Sequence, residues 1–131
     1  MNIKKLNLVG CDFDGTLVIH EYPNIGKIIP GAFETLKWLQ QHNINIILIT
    51  MRSGRELKEA VDLCKDHGIE FYAINDNPSQ KSWTTSRKIY VEKMIDDNGV
   101  GAPLIDNGKD APFIDWDKVK EELKPMVEVE E

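Results

Sequence analysis

Cysteine is scarce in this sequence, with two residues among 131, Cys11 and Cys64. That is too few for a disulfide framework. Cys11 lies in an apolar run and Cys64 in a helical pattern, so both read as small core residues, and neither falls at a metal-ligand spacing. Long apolar runs are missing as well. None approaches the length that spans a bilayer, and Met1 to Leu6 lacks the apolar stretch of a signal peptide. The expectation is a cytoplasmic protein with no membrane contact. Positive charge is in deficit, 16 Lys and Arg against 22 Asp and Glu, for a formal net charge of -6. Non-specific nucleic-acid binding relies on phosphate neutralisation and finds no support in that balance, although a polynucleotide end stays open as a substrate. There is no internal repeat and no low-complexity segment beyond an acidic tail.

What is present fits one domain with a real core, at 41% apolar and 29% charged residues. Leu6 to Asp12 is a short apolar run ending in acid and reads as a buried strand. Phe33, Leu36 and Leu39 recur at helical spacing between Gly31 and His42, with Pro30 near the start. Ile44 to Thr50 suits a strand covered on both faces. Arg55 to His67 predicts a second helix, with Leu57, Ala60, Val61 and Cys64 on one face and Gly68 as its stop. Glu70 to Ile74 and Val91 to Asp97 read as further strands, Asn75 to Ser86 as loop, and Pro103 to Ile105 as a short edge strand. Asp115 should cap a last helix with Trp116, Val119 and Leu123 inward, stopped by Pro125. The pattern predicts an α/β fold, a three-layer Rossmann-like domain with a parallel central sheet and helices on both faces. The domain is expected to span 1–125, with 126–131 a frayed, disordered tail.

In such folds ligands bind outside the C-terminal strand edges. Asp12, Thr50 and Asp96 each end a predicted strand, so one edge should collect all three. Asp12 and Asp14 stand two residues apart around a turn that Gly15 permits. Phosphoryl transfer needs an in-line nucleophile and a proton for the departing oxygen. Asp12 would attack phosphorus to give an aspartyl phosphate, and Asp14 would serve as general acid and then base. Two carboxylates facing a phosphate call for a divalent cation, and oxygen-only ligands favour magnesium (Mg2+). Its expected ligands are an Asp12 side-chain oxygen, the Asp14 carbonyl and a carboxylate from Asp96 or Asp97, with Asp96 preferred because Asp97 lies further into the loop. The Thr50 hydroxyl and the backbone N–H groups from Met51 onward can face the phosphate. Arg52 is expected as an anion contact at the mouth, and Lys88 or Lys81 as the fixed positive charge.

These residues resemble the haloacid dehalogenase superfamily. Its first motif is similar to Asp12-Phe13-Asp14-Gly15-Thr16-Leu17, its second to Ile46-Ile47-Leu48-Ile49-Thr50 and its fourth to Ile95-Asp96-Asp97. The resemblance covers about Leu6 to Ile105. It implies a hydrolase, and Asp14 looks like the phosphatase and phosphomutase pattern rather than the dehalogenase one. Small bacterial and phage members resemble this chain through Ser86-Arg87-Lys88 and through the flap His20-Glu21-Tyr22-Pro23-Asn24-Ile25-Gly26, which places Lys88 ahead of Lys81. The segments 18–30 and 75–87 are too short for the family's cap domains. The resemblance therefore implies an open, capless site taking a phosphorylated small molecule or something larger, with Gly15, Met51, Arg52, His20 and Tyr22 toward the substrate. A phosphotransferase or phosphomutase using the same intermediate is the competing reading. A signalling receiver is another, but its acids and lysine come in a different chain order.

Overall fold

Residues 3–129 are described in the computed structural model. Four parallel strands, β1 (Leu8–Cys11), β2 (Asn45–Leu48), β3 (Ala73–Ile74) and β4 (Lys93–Ile95), form a sheet of order β3-β2-β1-β4. The register sets Cys11 beside Leu48 and Ile95, so β1, β2 and β4 all release the chain at one edge. α1 (Ala32–Gln41) and α2 (Gly54–Asp66) make the crossovers from β1 to β2 and from β2 to β3. The chain then reverses direction to place β4 on the far side of β1. Right-handed crossovers put α1 and α2 on one face and the β3–β4 connection on the other. The result is a three-layer, Rossmann-like α/β domain, as expected. One outer layer is thin, because a 3-10 helix at Pro78–Ser82 stands where a full helix is common.

Alternation along the strands explains the main core. Val9 and Cys11 of β1 and Ile46 and Leu48 of β2 share a buried cluster with Phe33, Leu36 and Leu39 of α1 and Ala60 and Cys64 of α2. Each large side chain so buried contributes about 1.5–3 kcal/mol. The Phe33 ring stacks on His67 at 4.5 Å and ties α1 to the end of α2.

Two expectations are corrected at the C-terminal end. Leu104–Ile105 does not extend the parallel sheet. It forms β5, which pairs antiparallel with β6 (Phe113–Ile114) in a separate hairpin. Nor does Pro125 end the last helix, since α3 (Trp116–Val127) runs through it. Pro125 gives up its own N–H bond to the preceding turn, but Val127 beyond it is buried and the Met126 carbonyl accepts the Leu6 N–H at 2.8 Å, and these contacts hold the last turn in place. The tail thus begins later than 126, and 130–131 lie outside the described residues. Asp115 caps α3 as expected, its carboxylate accepting the Lys118 N–H. Among the described residues no helix is long and apolar enough to cross a membrane.

Candidate active site

The chain leaves β1 at Asp12, whose N–H still donates to Ile95 of β4 at 3.0 Å. A turn follows at once. The N–H groups of Thr16 and Leu17 return to the Phe13 carbonyl, and Gly15 takes φ 79°, the left-handed conformation that glycine adopts without steric cost. The turn is braced from behind by the C-terminal region. Ile114 of β6 donates to the Gly15 carbonyl at 3.1 Å, and the Trp116 indole donates to the Thr16 carbonyl at 2.7 Å. The sequence places Trp116 inward on the last helix but does not link it to this turn, and it does not show β6, because two-residue strands carry no periodic signal.

The cleft above this turn has a volume of about 450 Å³ and is lined by Asp12, Asp14, His20, Tyr22, Thr50, Met51, Arg52, Asp97 and Asn98. Asp12, Asp14 and Thr50 therefore meet, together with His20, Tyr22, Met51 and Arg52. Asp96 does not join them. Its carboxylate turns back on its own loop and accepts the N–H groups of Asn98 and Gly99 at 2.9 and 2.6 Å. The acid that reaches the cleft is Asp97, so the preference for Asp96 is reversed. Neighbouring residues leave a strand end on opposite sides, and nothing in Ile95-Asp96-Asp97 says which acid the turn will aim inward.

Asp97 stands beside the Asp12 carboxyl in the cleft and packs directly over Gly15. Burial pushes the Asp12 carboxyl up to about 7. The Phe13 N–H works against the shift, while the negative charges of Asp97 and Asp14 add to it. Thr50 is held at both ends. Its N–H donates to Asn75 Oδ1 at 2.8 Å, and its hydroxyl accepts the Arg52 N–H at 3.1 Å. Asn75 has φ 51°, a conformation Asn tolerates better than most residues. It is a site residue that the sequence reading assigned to loop.

Arg52 differs most from its expected placement. The expectation put it at the mouth as an anion contact, yet it is 2% exposed, and its guanidinium grips Asp14 from within. Nε donates to Asp14 Oδ2 and Nη2 to Oδ1, both at 2.8 Å. Asp14 thereby holds the guanidinium above its ordinary pKa, against the opposing effect of burial. Met51, fully exposed beside it, stands at the rim with His20 and Tyr22.

Neither candidate lysine lines the cleft. Lys81 pairs with Asp76 at 3.4 Å at the surface. Lys88 is exposed and fixed through its backbone, its N–H to Ser86 Oγ and its carbonyl to Gln80 Nε2.

The flap is a short hairpin. Ile19 donates to the Lys27 carbonyl and Ile29 to the Leu17 carbonyl, and a turn at its tip is closed by Asn24 N–H to the Glu21 carbonyl. It carries His20 and Tyr22 to the rim and is far too small to enclose the cleft.

The family model for haloacid dehalogenase-like hydrolases matches residues 9–100, a span holding Asp12, Thr50 and Asp97. A solved structure, a conserved protein from Bacteroides thetaiotaomicron, is 39% identical with a TM-score of 0.76. The alignment covers 92% of this chain and 91% of that one. Among curated proteins, none matches. The chain belongs to the haloacid dehalogenase-like hydrolase family.

Proposed function

We propose that this hydrolase is a magnesium-dependent phosphatase acting on phosphomonoesters through an aspartyl phosphate on Asp12. The observation that carries the reading is the meeting of Asp12, Asp14, Thr50 and Asp97 in one open cleft at the C-terminal edge of the sheet. The donors fit magnesium. They are all oxygens, and two half-buried acids, Asp12 and Asp97, stand side by side on the cleft, where a cation would relieve their repulsion. Asp12 and Asp97 would hold the ion through carboxylates and Asp14 through its backbone carbonyl. Among the described residues no three His, Cys, Asp or Glu side chains form a closed metal centre. Two carboxylates and a carbonyl suit an ion that keeps waters and substrate oxygens as its other ligands. Bound there, magnesium would neutralise charge between the acids and the phosphate.

The residues then divide the chemistry. Asp12 attacks phosphorus as the leaving oxygen departs with a proton from Asp14. Asp14 next removes a proton from the water that attacks the aspartyl phosphate, which frees phosphate and restores Asp12. Thr50 and the backbone N–H groups beyond it bind the phosphoryl oxygens. The open rim of His20, Tyr22 and Met51 leaves room for leaving groups larger than the cleft. The decisive test is Asp12→Asn with p-nitrophenyl phosphate and magnesium. Turnover should fall to background in a folded protein, and turnover retained in that variant overturns the reading.

A further inference from the structure

Arg52 has no N–H left to offer a substrate. Besides the two bonds to Asp14, Nη1 donates to the carbonyls of Pro23 and Glu56 at 3.2 and 3.3 Å, and Nη2 to that of Asn24 at 2.8 Å. All five donors are used. The guanidinium lies 5.0 Å from the Phe13 ring centre and 5.2 Å from that of Tyr22. Burying this group is costly, and a simple ion pair would repay it poorly. The choice of partners is what informs. One side of the fork holds the carboxylate of the acid/base, and two further donors hold the flap's tip, whose exposed residues Glu21 to Asn24 have one internal bond. The pairings of Leu17 to Ile19 with Lys27 to Ile29 fix the flap's base, and Arg52 is what seats its tip.

We propose that Arg52 is a positioning residue that joins the Asp14 carboxylate and the flap tip into one unit, so that the seat of the flap sets the aim of the acid/base at the leaving group. The turnover part of this inference rests on the phosphatase reading, whereas the mechanical part does not. A substrate that presses on Tyr22 or Pro23 shifts the carbonyls that Arg52 holds, and the fork carries the shift to Asp14. Rim contact and proton delivery are thereby linked across a single side chain.

The mechanical arm is amide hydrogen exchange on Asp14→Asn, a change of equal size that keeps one acceptor for the fork. Exchange in the flap over 20–26 should quicken at least tenfold while β1 and β2 keep their protection. An unchanged flap overturns the proposal. The catalytic arm compares p-nitrophenyl phosphate, whose leaving group needs little protonation, with an alkyl phosphate, whose leaving group needs much. In Arg52→Lys, kcat for the alkyl ester should fall at least tenfold more than for the aryl ester, with KM nearly unchanged. Equal losses on both esters indicate a structural role, and a raised KM with constant kcat indicates an anion contact; either overturns the proposal. If the wild-type chain turns over neither ester, the phosphatase reading fails by itself and the exchange result decides. The exchange result also decides if Arg52→Lys does not fold.

Discussion

The carboxylate of Asp97 occupies the space that a Cβ on residue 15 would need. Gly15 is thus required twice, by its φ of 79° and by the acid resting on it. Gly15→Ala should cost about 1–2 kcal/mol for the left-handed conformation alone, and it should push Asp97 off Asp12. Turnover should fall at least tenfold, by more than the loss of folded protein explains. Urea unfolding beside turnover per folded molecule separates the two effects. A variant with wild-type turnover would show that the close packing of Asp97 has no bearing on catalysis.

Asp96 and Asp97 are adjacent and chemically identical, but the fold gives them different work. Asp97→Asn should abolish most magnesium-dependent turnover, at least a hundredfold, by removing a negative charge beside Asp12. Asp96→Asn keeps an oxygen for the Asn98 and Gly99 N–H groups and should remain within a few-fold of wild type. Turnover titrated against magnesium checks both. The reverse ranking would restore Asp96 as the cation's carboxylate.

The raised Asp12 carboxyl makes stability depend on pH. Its folded pKa, about 7, stands above the ordinary 3.8, chiefly because of burial. The folded chain therefore binds this proton more tightly than the unfolded chain. The stabilisation is fully present below about pH 4 and is lost as pH rises through about 7. Each unit in that window costs at most about 1.4 kcal/mol, and partial solvent access to Asp12 reduces it. In EDTA, Asp12→Asn should melt higher than wild type at about pH 8, with the gap closing toward about pH 5. Added magnesium should raise the wild-type melting temperature and leave Asp12→Asn nearly unmoved. A gap that ignores pH would remove Asp12 as its source.

Much of this molecule was legible in the sequence because periodicity reports burial. The three α-helices and the strands leading to Asp12, Thr50 and the Asp96-Asp97 pair follow from apolar spacing, and the turn after Asp12 follows from Gly15. What escaped depends on contacts remote in sequence or on the aim of a single bond. Arg52 reads as a surface cation until the Asp14 carboxylate and two flap carbonyls close around it. Asn75 reads as loop until its side chain is found under Thr50. The aim of Asp97 is settled by its packing on Gly15, more than eighty positions upstream, which no local pattern reports. The helix continues past Pro125 because Val127 is buried and Leu6 bonds the Met126 carbonyl, another long-range cause.

Gln80 offers the sharpest test of the lysine. It is 6% exposed, and its amide holds three backbone groups of one loop. Nε2 donates to the carbonyls of Ser86 and Lys88 at 3.2 and 2.9 Å, while Oε1 accepts the Tyr90 N–H at 2.8 Å. Gln80→Leu fills similar space and deletes all three bonds. A buried polar group stripped of its partner costs about 1–3 kcal/mol. Water can reach the exposed part of this loop, so the total should stay near about 2–3 kcal/mol. If Lys88 supplies positive charge to the phosphoryl group, it does so from this anchored segment, and loosening the anchor should lower kcat roughly as Lys88→Ala does. The double variant should then lose little more than Lys88→Ala alone, because both changes remove one contribution. Urea unfolding reads the first effect and a double-mutant cycle in kcat reads the second. Additive losses would detach Lys88 from the Gln80 anchor and return Lys81, which stands on the same connection, as the candidate.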